Sequence, residues 1–144
     1  MDKKEIGKQI FLSGYNCAQA VFSTFSEDYG LDAAVARKIA GGLGGGVRSA
    51  EVCGAVTGAV LVIGLRFGQN APDDQAGKEN CYAQTDKFIK IFGERNNSII
   101  CRELLGCDIF TEAGREMAVR QQFFTTKCVD MVTSAIEILE EMGY

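Results

Sequence analysis

The residues of this chain best suited to redox or soft-metal chemistry are its cysteines, and histidine is absent. The six cysteines are Cys17, Cys53, Cys81, Cys101, Cys107 and Cys128. Without histidine the chain cannot form a Ser-His-Asp triad, a Cys-His dyad or a histidine-ligated zinc, iron or haem site. What remains is thiolate chemistry: attack on a disulfide, or coordination of a soft metal.

Three cysteines are predicted to lie in the first turn of a helix. Cys17 directly follows Asn16, a residue type that favours the N-cap position. Cys53 and Cys101 each follow a serine within a few residues. The positive end of the helix dipole and the unpaired N–H groups there favour a thiolate. Arg102, next to Cys101, would either help to hold that thiolate or lie on the surface as an ordinary charge.

A glycine-rich segment, residues 41–46, precedes Cys53 and has two interpretations. A backbone with so little side chain could approach an anionic ligand closely. The segment lacks a Gly-Lys-Ser/Thr ending, however, and no strand leads into it, so nucleotide binding is disfavoured. The second interpretation is structural: Gly54 and Gly58 lie four residues apart, on one helix face, and let another helix pack closely. We favour it, because such packing would bring Cys53 near cysteines on neighbouring helices.

Apolar residues at helical spacing predict a chain of helices with short connections. The predicted helices span residues 3–13, 17–29, 32–40, from 49 or 51 to 67, 75–93, 99–105 and 112–142, the last with a break near 123–127. Cys128 falls on the apolar stripe of that last helix. No segment alternates as a strand would. The expected fold is all-α: a single domain over residues 1–144, a bundle of five to seven helices with a Gly/Ala-rich central helix.

Charge and hydropathy exclude several classes of function. The net charge is −4 and the basic residues are scattered, which disfavours binding to nucleic acids or to acidic membrane surfaces. The longest apolar stretch, residues 53–65, is shorter than the about 20 residues of a membrane-spanning helix and is expected in the core. No signal-peptide pattern follows the first residues, so we expect a cytoplasmic protein with reduced thiols.

The segment Cys53–Gly58 fits a CGAxxG signature and resembles the C_GCAxxG_C_C family, whose members are described as redox-active. Further similar segments are Asn16–Gln19, the glycine run, Cys101–Gly106 and a late cysteine on a C-terminal helix. The resemblance implies a small bacterial or archaeal protein with four characteristic cysteines. Carried over by position, these are Cys17, Cys53, Cys101 and Cys128. Cys81 and Cys107 do not match the pattern.

Three hypotheses of function follow. The first is redox chemistry of clustered thiols, by thiol–disulfide exchange or electron transfer with a partner protein or small molecule, as in a thiol-based oxidoreductase. The second is a metal site in which the same four cysteines bind zinc or an iron–sulfur cluster. The third is a non-enzymatic binding or assembly protein, with cysteines mostly in the core and the Gly/Ala helix docking a partner or a second copy.

Overall fold

The computed structural model describes residues 1–144 and confirms the all-α prediction. Eight α-helices and three shorter helical turns follow one another along the chain, without a strand. The helices are α1 (Lys3–Leu12), α2 (Cys17–Ser26), α3 (Ala33–Ile39), α4 (Gly54–Phe67), α5 (Gln75–Asn96), α6 (Cys101–Leu105), α7 (Glu112–Arg120) and α8 (Lys127–Glu141). The predicted count of five to seven helices is too low, because the predicted last helix is two helices, α7 and α8.

Local capping signals determine where several helices begin and end. The N–H of Gln19 donates to the side chain of Asn16, and the N–H of Asn16 donates to the side chain of Gln19, both at 2.8 Å. This reciprocal pair fixes the first turn of α2. Asp32 accepts from the first N–H groups of α3, and Gly30, with φ at 86°, ends the turn that follows α2. These ends agree with the sequence analysis.

Helix α4 is the predicted Gly/Ala-rich helix, and most of its buried residues belong to the main core. It packs against α2, α5 and α8, and its apolar face lies in a core cluster of 20 buried residues. Aromatic side chains Phe25, Phe88 and Phe92 are fully buried in the same cluster. None of the helices combines the length and the apolar character that crossing a membrane requires.

Glycines on α4 allow a close contact with a neighbouring helix. A Cβ atom at Gly58 would lie 2.7 Å from the carbonyl oxygen of Ala18 and 2.9 Å from its Cα. A Cβ at Gly54 would lie 3.2 Å from the Cβ of Cys17. The interpretation that these glycines let a neighbouring helix approach is confirmed, and the neighbour is α2.

Two predicted helix starts were wrong. Helix α4 begins at Gly54 rather than at residue 49 or 51, and α6 begins at Cys101 rather than at 99. The residues in front of the two helices are extended and pair with each other through an antiparallel bridge between Val52 and Ile100. Tertiary pairing has overridden the local apolar pattern here.

A strained turn, Gly46–Ala50, lies before this bridge. Gly45 to Arg48 all have positive φ angles, including Val47 at 58° and Arg48 at 58°. Left-handed backbone is costly for residues with a Cβ, and most of all for a β-branched one. The turn is closed by a hydrogen bond of 3.2 Å from the N–H of Glu51 to the carbonyl of Gly46.

Candidate functional site

The candidate site is a cavity of about 490 Å³ where the N-terminal ends of α2, α4, α6 and α8 meet. Four cysteines line it, one from each of these helix ends: Cys17, Cys53, Cys101 and Cys128. They are the same four that the sequence analysis singled out. The remainder of the wall comes from the glycine-rich segment, from apolar side chains and from two arginines.

Cys17 is the first residue of α2 and is placed by the cap described above. The side-chain amide of Asn16 also donates to the carbonyl of Gly41 at 3.2 Å. A Cβ at Gly44 would lie 2.7 Å from the side chain of Asn16. Asn16 therefore holds the glycine-rich segment against the start of α2, and the segment forms one wall of the cavity.

Cys53 and Cys101 are brought together by the antiparallel bridge. The N–H of Cys53 donates to Ile99 at 2.8 Å, and the N–H of Cys101 donates to Glu51 at 2.5 Å. Since successive residues of an extended segment point to opposite faces, the two cysteines share the face opposite Val52 and Ile100. That face is the cavity wall, where both cysteines are largely buried.

Cys128 is the second residue of α8, where the sequence analysis placed it inside a longer helix. The chain turns at Phe123–Thr125, within the predicted break. The ammonium group of Lys127 donates to the carbonyl of Leu105 at 3.1 Å, which ties the start of α8 to the end of α6. This contact brings the late cysteine to the same cavity as Cys101.

Cys17 and Cys128 form a directly interacting pair. A hydrogen-bond interaction between the two thiols raises the pKa of Cys17 and lowers the pKa of Cys128. Burial and the nearby charges of the other cysteines raise the pKa of Cys17 further. Within the pair, Cys128 is therefore the thiol that ionises more readily.

The other two thiols of the cavity, those of Cys53 and Cys101, stay protonated at neutral pH. Burial raises the pKa of Cys53 to about 11, against the opposing effect of the N–H groups of Ala55 and Val56. Burial, followed by the charges of neighbouring cysteines, raises the pKa of Cys101 to about 12. The expectation that a helix start would favour the thiolate was therefore wrong for Cys17, Cys53 and Cys101.

The pKa values rise because burial has a larger effect on a thiol than the helix N-terminus has. A helix N-terminus stabilises a negative charge by about 0.3–1 kcal/mol near the surface. A rise of two pKa units corresponds to about 3 kcal/mol, so burial outweighs the helix end at Cys53. Helix α6 has only five residues, which makes its contribution at Cys101 smaller still.

Arg102 does not hold a thiolate. Its guanidinium group pairs with Glu51 at 2.7 Å and donates to the carbonyl of Ala50 at 3.1 Å. It therefore fastens α6 to the segment before Cys53. The arginines that line the cavity are Arg48 and Arg115, which the sequence analysis did not select. Neither occurs in a motif, and only the fold places them beside the cysteines.

The other two cysteines lie outside the cavity lining. Cys81 is on α5 and packs against the main core, away from the four clustered thiols. Cys107 packs in a smaller cluster beside Cys101, and its charge contributes to the raised pKa of Cys101. All six cysteines are free thiols in this structure.

The four thiols were also compared with the requirements of a metal site. No group of three or more cysteine or carboxylate side chains lies close enough together to hold a metal ion. The donor type suits zinc or an iron–sulfur cluster, but the spacing of the four thiols does not suit a single ion. A single-ion site would require the thiols to draw closer than they are here.

Comparison with known proteins gives one family. Residues 15–142 match the family described as "Putative redox-active protein (C_GCAxxG_C_C)". Neither the curated proteins nor the solved structures include a significant match. The matched range takes in all four helix ends of the cavity and nearly the whole chain. The chain belongs to the C_GCAxxG_C_C family, whose members are described as redox-active.

Proposed function

We propose that the protein is a thiol–disulfide redox protein in which Cys128 is the attacking thiolate and Cys17 is the resolving thiol. The observation that carries the proposal is that Cys17 and Cys128 line the wall of one cavity and interact there, with opposite shifts of their pKa. Disulfide exchange needs one thiolate to attack and a second thiol within reach to displace the mixed disulfide. The pair supplies both in one place.

The first step is attack by the Cys128 sulfur on a substrate disulfide, RS–SR. The substrate S–S bond breaks, a Cys128–S–S–R mixed disulfide forms, and one RS⁻ departs. The largest cause of the raised pKa of Cys17 is its hydrogen bond to Cys128. Once the Cys128 sulfur is part of a disulfide, its interaction with Cys17 no longer favours the protonated form of Cys17. Cys17 is then easier to ionise than in the free dithiol.

In the second step Cys17 transfers its proton to the departing RS⁻ and attacks the sulfur of Cys128. The mixed disulfide breaks, the Cys17–Cys128 disulfide forms and the second RS⁻ leaves. The pair loses two electrons, and the substrate disulfide gains them as one thiol, protonated by Cys17, and one thiolate, which takes a proton from water. These two steps are one half of a redox cycle. In the other half, the Cys17–Cys128 disulfide oxidises two substrate thiols by the reverse steps.

Mass spectrometry of single variants tests these assignments. With bis(2-hydroxyethyl) disulfide, the wild-type protein should lose two hydrogens and yield a peptide that links residues 17 and 128. Cys17→Ser should stop at a mixed disulfide on Cys128, because the resolving thiol is missing. Cys128→Ser should form neither species. Cys81→Ser is the matched control and should behave as the wild type.

Alkylation of the reduced native protein provides a second, independent measurement. At neutral pH iodoacetamide should modify Cys128 first among the four cavity cysteines, because its pKa is lowered. Cys53 and Cys101 should react slowest. Uniformly inert thiols, or a disulfide that joins a different pair, would contradict the proposal.

The metal hypothesis and the assembly hypothesis predict different results. A metal protein purified without oxygen should contain near-stoichiometric zinc or iron, and less than about a tenth of an equivalent would exclude this hypothesis. If the cysteines are only core residues, Cys17→Ser and Cys53→Ser should change oligomeric state or stability while leaving redox behaviour unchanged. The metal content and the oxidation assay therefore separate all three hypotheses.

A further inference from the structure

Apart from the thiols, the charged groups of the cavity wall are all of one sign. Arg48 and Arg115 line the cavity, and no aspartate or glutamate does. The chain as a whole has 19 acidic and 15 basic residues, so an average surface would show more carboxylates than cations. Asp108 lies near Cys101 but does not line the cavity. The cavity is thus a local positive site in an acidic protein.

Neither arginine forms an ion pair with a carboxylate, although Glu112 and Glu116 line an adjacent groove together with Arg115. The five ion pairs of the structure engage other cations, namely Lys3, Lys4, Arg95 and Arg102. Arg48 lies over the ring of Phe110 at 4.6 Å, and Arg115 lies over the ring of Phe124 at 5.7 Å. A guanidinium group stacked on a ring keeps its N–H edge for an acceptor. Both groups are exposed.

The two arginines reach the cavity from separate, well-fixed elements. Arg48 lies in the strained turn, with φ at 58°, a conformation that persists only where the surrounding structure imposes it. Arg115 lies on α7, whose first turn is capped by Thr111 through a bond of 3.0 Å from the N–H of Gly114. The backbone that carries each arginine is therefore fixed by the fold.

We propose that the substrate of this cavity is a small, anionic disulfide or thiol, and that Arg48 and Arg115 bind its carboxylates. This inference rests on the thiol–disulfide function proposed above. A volume of about 490 Å³ is within the range of small-molecule sites. Guanidinium groups suit carboxylates because two parallel N–H donors meet two oxygens. The carboxylates would thereby orient the S–S bond toward Cys128.

Three disulfides of similar size and different charge provide the test. They are 3,3′-dithiodipropionate, a dianion; bis(2-hydroxyethyl) disulfide, which is neutral; and cystamine, a dication. The measured quantity is the rate at which each oxidises the reduced protein, by mass spectrometry of quenched samples. Each rate is divided by the rate of the same disulfide with dithiothreitol, which removes differences in intrinsic reactivity.

After this correction the dianion should react roughly tenfold faster than the neutral disulfide, and the dication slowest, if each arginine contributes a surface ion pair. Arg48→Gln and Arg115→Gln should each lower the dianion-to-neutral ratio about threefold, and the double variant about tenfold. Lysine at either position keeps the charge and should retain most of the ratio. High salt should reduce the ratio as well.

Arg120→Gln is the matched control, since Arg120 is an exposed arginine on the same helix as Arg115 and does not line the cavity. It should keep the wild-type ratio. Equal corrected rates for dianion and neutral disulfide, or a ratio unchanged in the double variant, would overturn the charge inference alone. If none of the three disulfides oxidises the protein, the proposed function fails and the inference falls with it.

Discussion

Replacing Gly58 with alanine should destabilise the bundle, although alanine is the better helix former. A Cβ at this position would lie 2.7 Å from the carbonyl oxygen of Ala18 and 2.9 Å from its Cα. Both are backbone atoms of α2, so no side chain can rotate to relieve the contact. The two helices would have to separate by several tenths of an ångström.

The expected loss is the difference between two opposing effects. Overpacking a closely packed contact costs about 1–3 kcal/mol, and here about 2–3 kcal/mol is expected, because two backbone atoms lie within 3.0 Å of the added Cβ. Replacing a glycine inside a helix by alanine returns about 1 kcal/mol. The free energy of unfolding should therefore fall by about 1–2 kcal/mol, which corresponds to roughly 3–8 °C in Tm for a domain of this size.

Gly64→Ala provides the control on the same helix. No atom lies within 4 Å of a Cβ at Gly64, so only the helix preference acts there. This variant should be stabilised by about 0.5–1 kcal/mol. Denaturation by urea, with reductant present throughout, measures both changes. A Gly58→Ala protein as stable as the wild type, or as stable as Gly64→Ala, would refute the close contact of α2 and α4.

Two further predictions concern the strained turn and the buried thiols. Val47→Gly should raise the free energy of unfolding by about 1 kcal/mol, because glycine adopts a φ of 58° without steric cost. Thermal melting measures the change, and an unchanged Tm would contradict the proposed strain at Val47. Above pH 9 the unfolded chain loses the proton of Cys53 while the folded chain keeps it, so stability should fall as pH rises toward 11, by up to about 3 kcal/mol. Cys53→Ala should show a shallower decline over that range in denaturation experiments, and an identical slope would refute the raised pKa.

Local signals account for the elements that were predicted well. The cap at Asn16 involves residues three apart, and the left-handed residue that closes the following turn is a glycine. Such features depend on near neighbours in sequence and can be read from it. The same holds for the spacing of Gly54 and Gly58, which indicated a helix contact. The sequence did not indicate which helix would fill it.

The start of α4 could not be predicted, because its cause lies 48 positions away. Val52 and Cys53 are apolar enough to continue the helix, and they are extended only because residues 99–101 pair with this segment. The left-handed turn before them contains Val47, a residue type that disfavours positive φ. A sequence pattern indicates only the local preference for a helix. Here hydrogen bonds between distant segments favour the extended conformation instead.

The sequence predicted the cysteines of the candidate site but neither their pKa shifts nor the arginines beside them. The resemblance to the family named the four cysteines, and the fold gathers them at one cavity. The direction of their pKa shifts was not predictable, because burial and mutual repulsion exist only after folding. Arg48 and Arg115 gave no sequence signal at all. Their importance comes from where the turn and α7 place them.

The position of the interacting pair along the chain links its oxidation to the stability of the whole protein. A disulfide between Cys17 and Cys128 would close a loop of about 110 residues, for which chain entropy predicts a stabilisation of about 5 kcal/mol. By the same thermodynamic cycle, the folded structure would favour the oxidised pair by whatever free energy the cross-link adds to folding. The bundle that holds these sulfurs together would thus help to set their reduction potential.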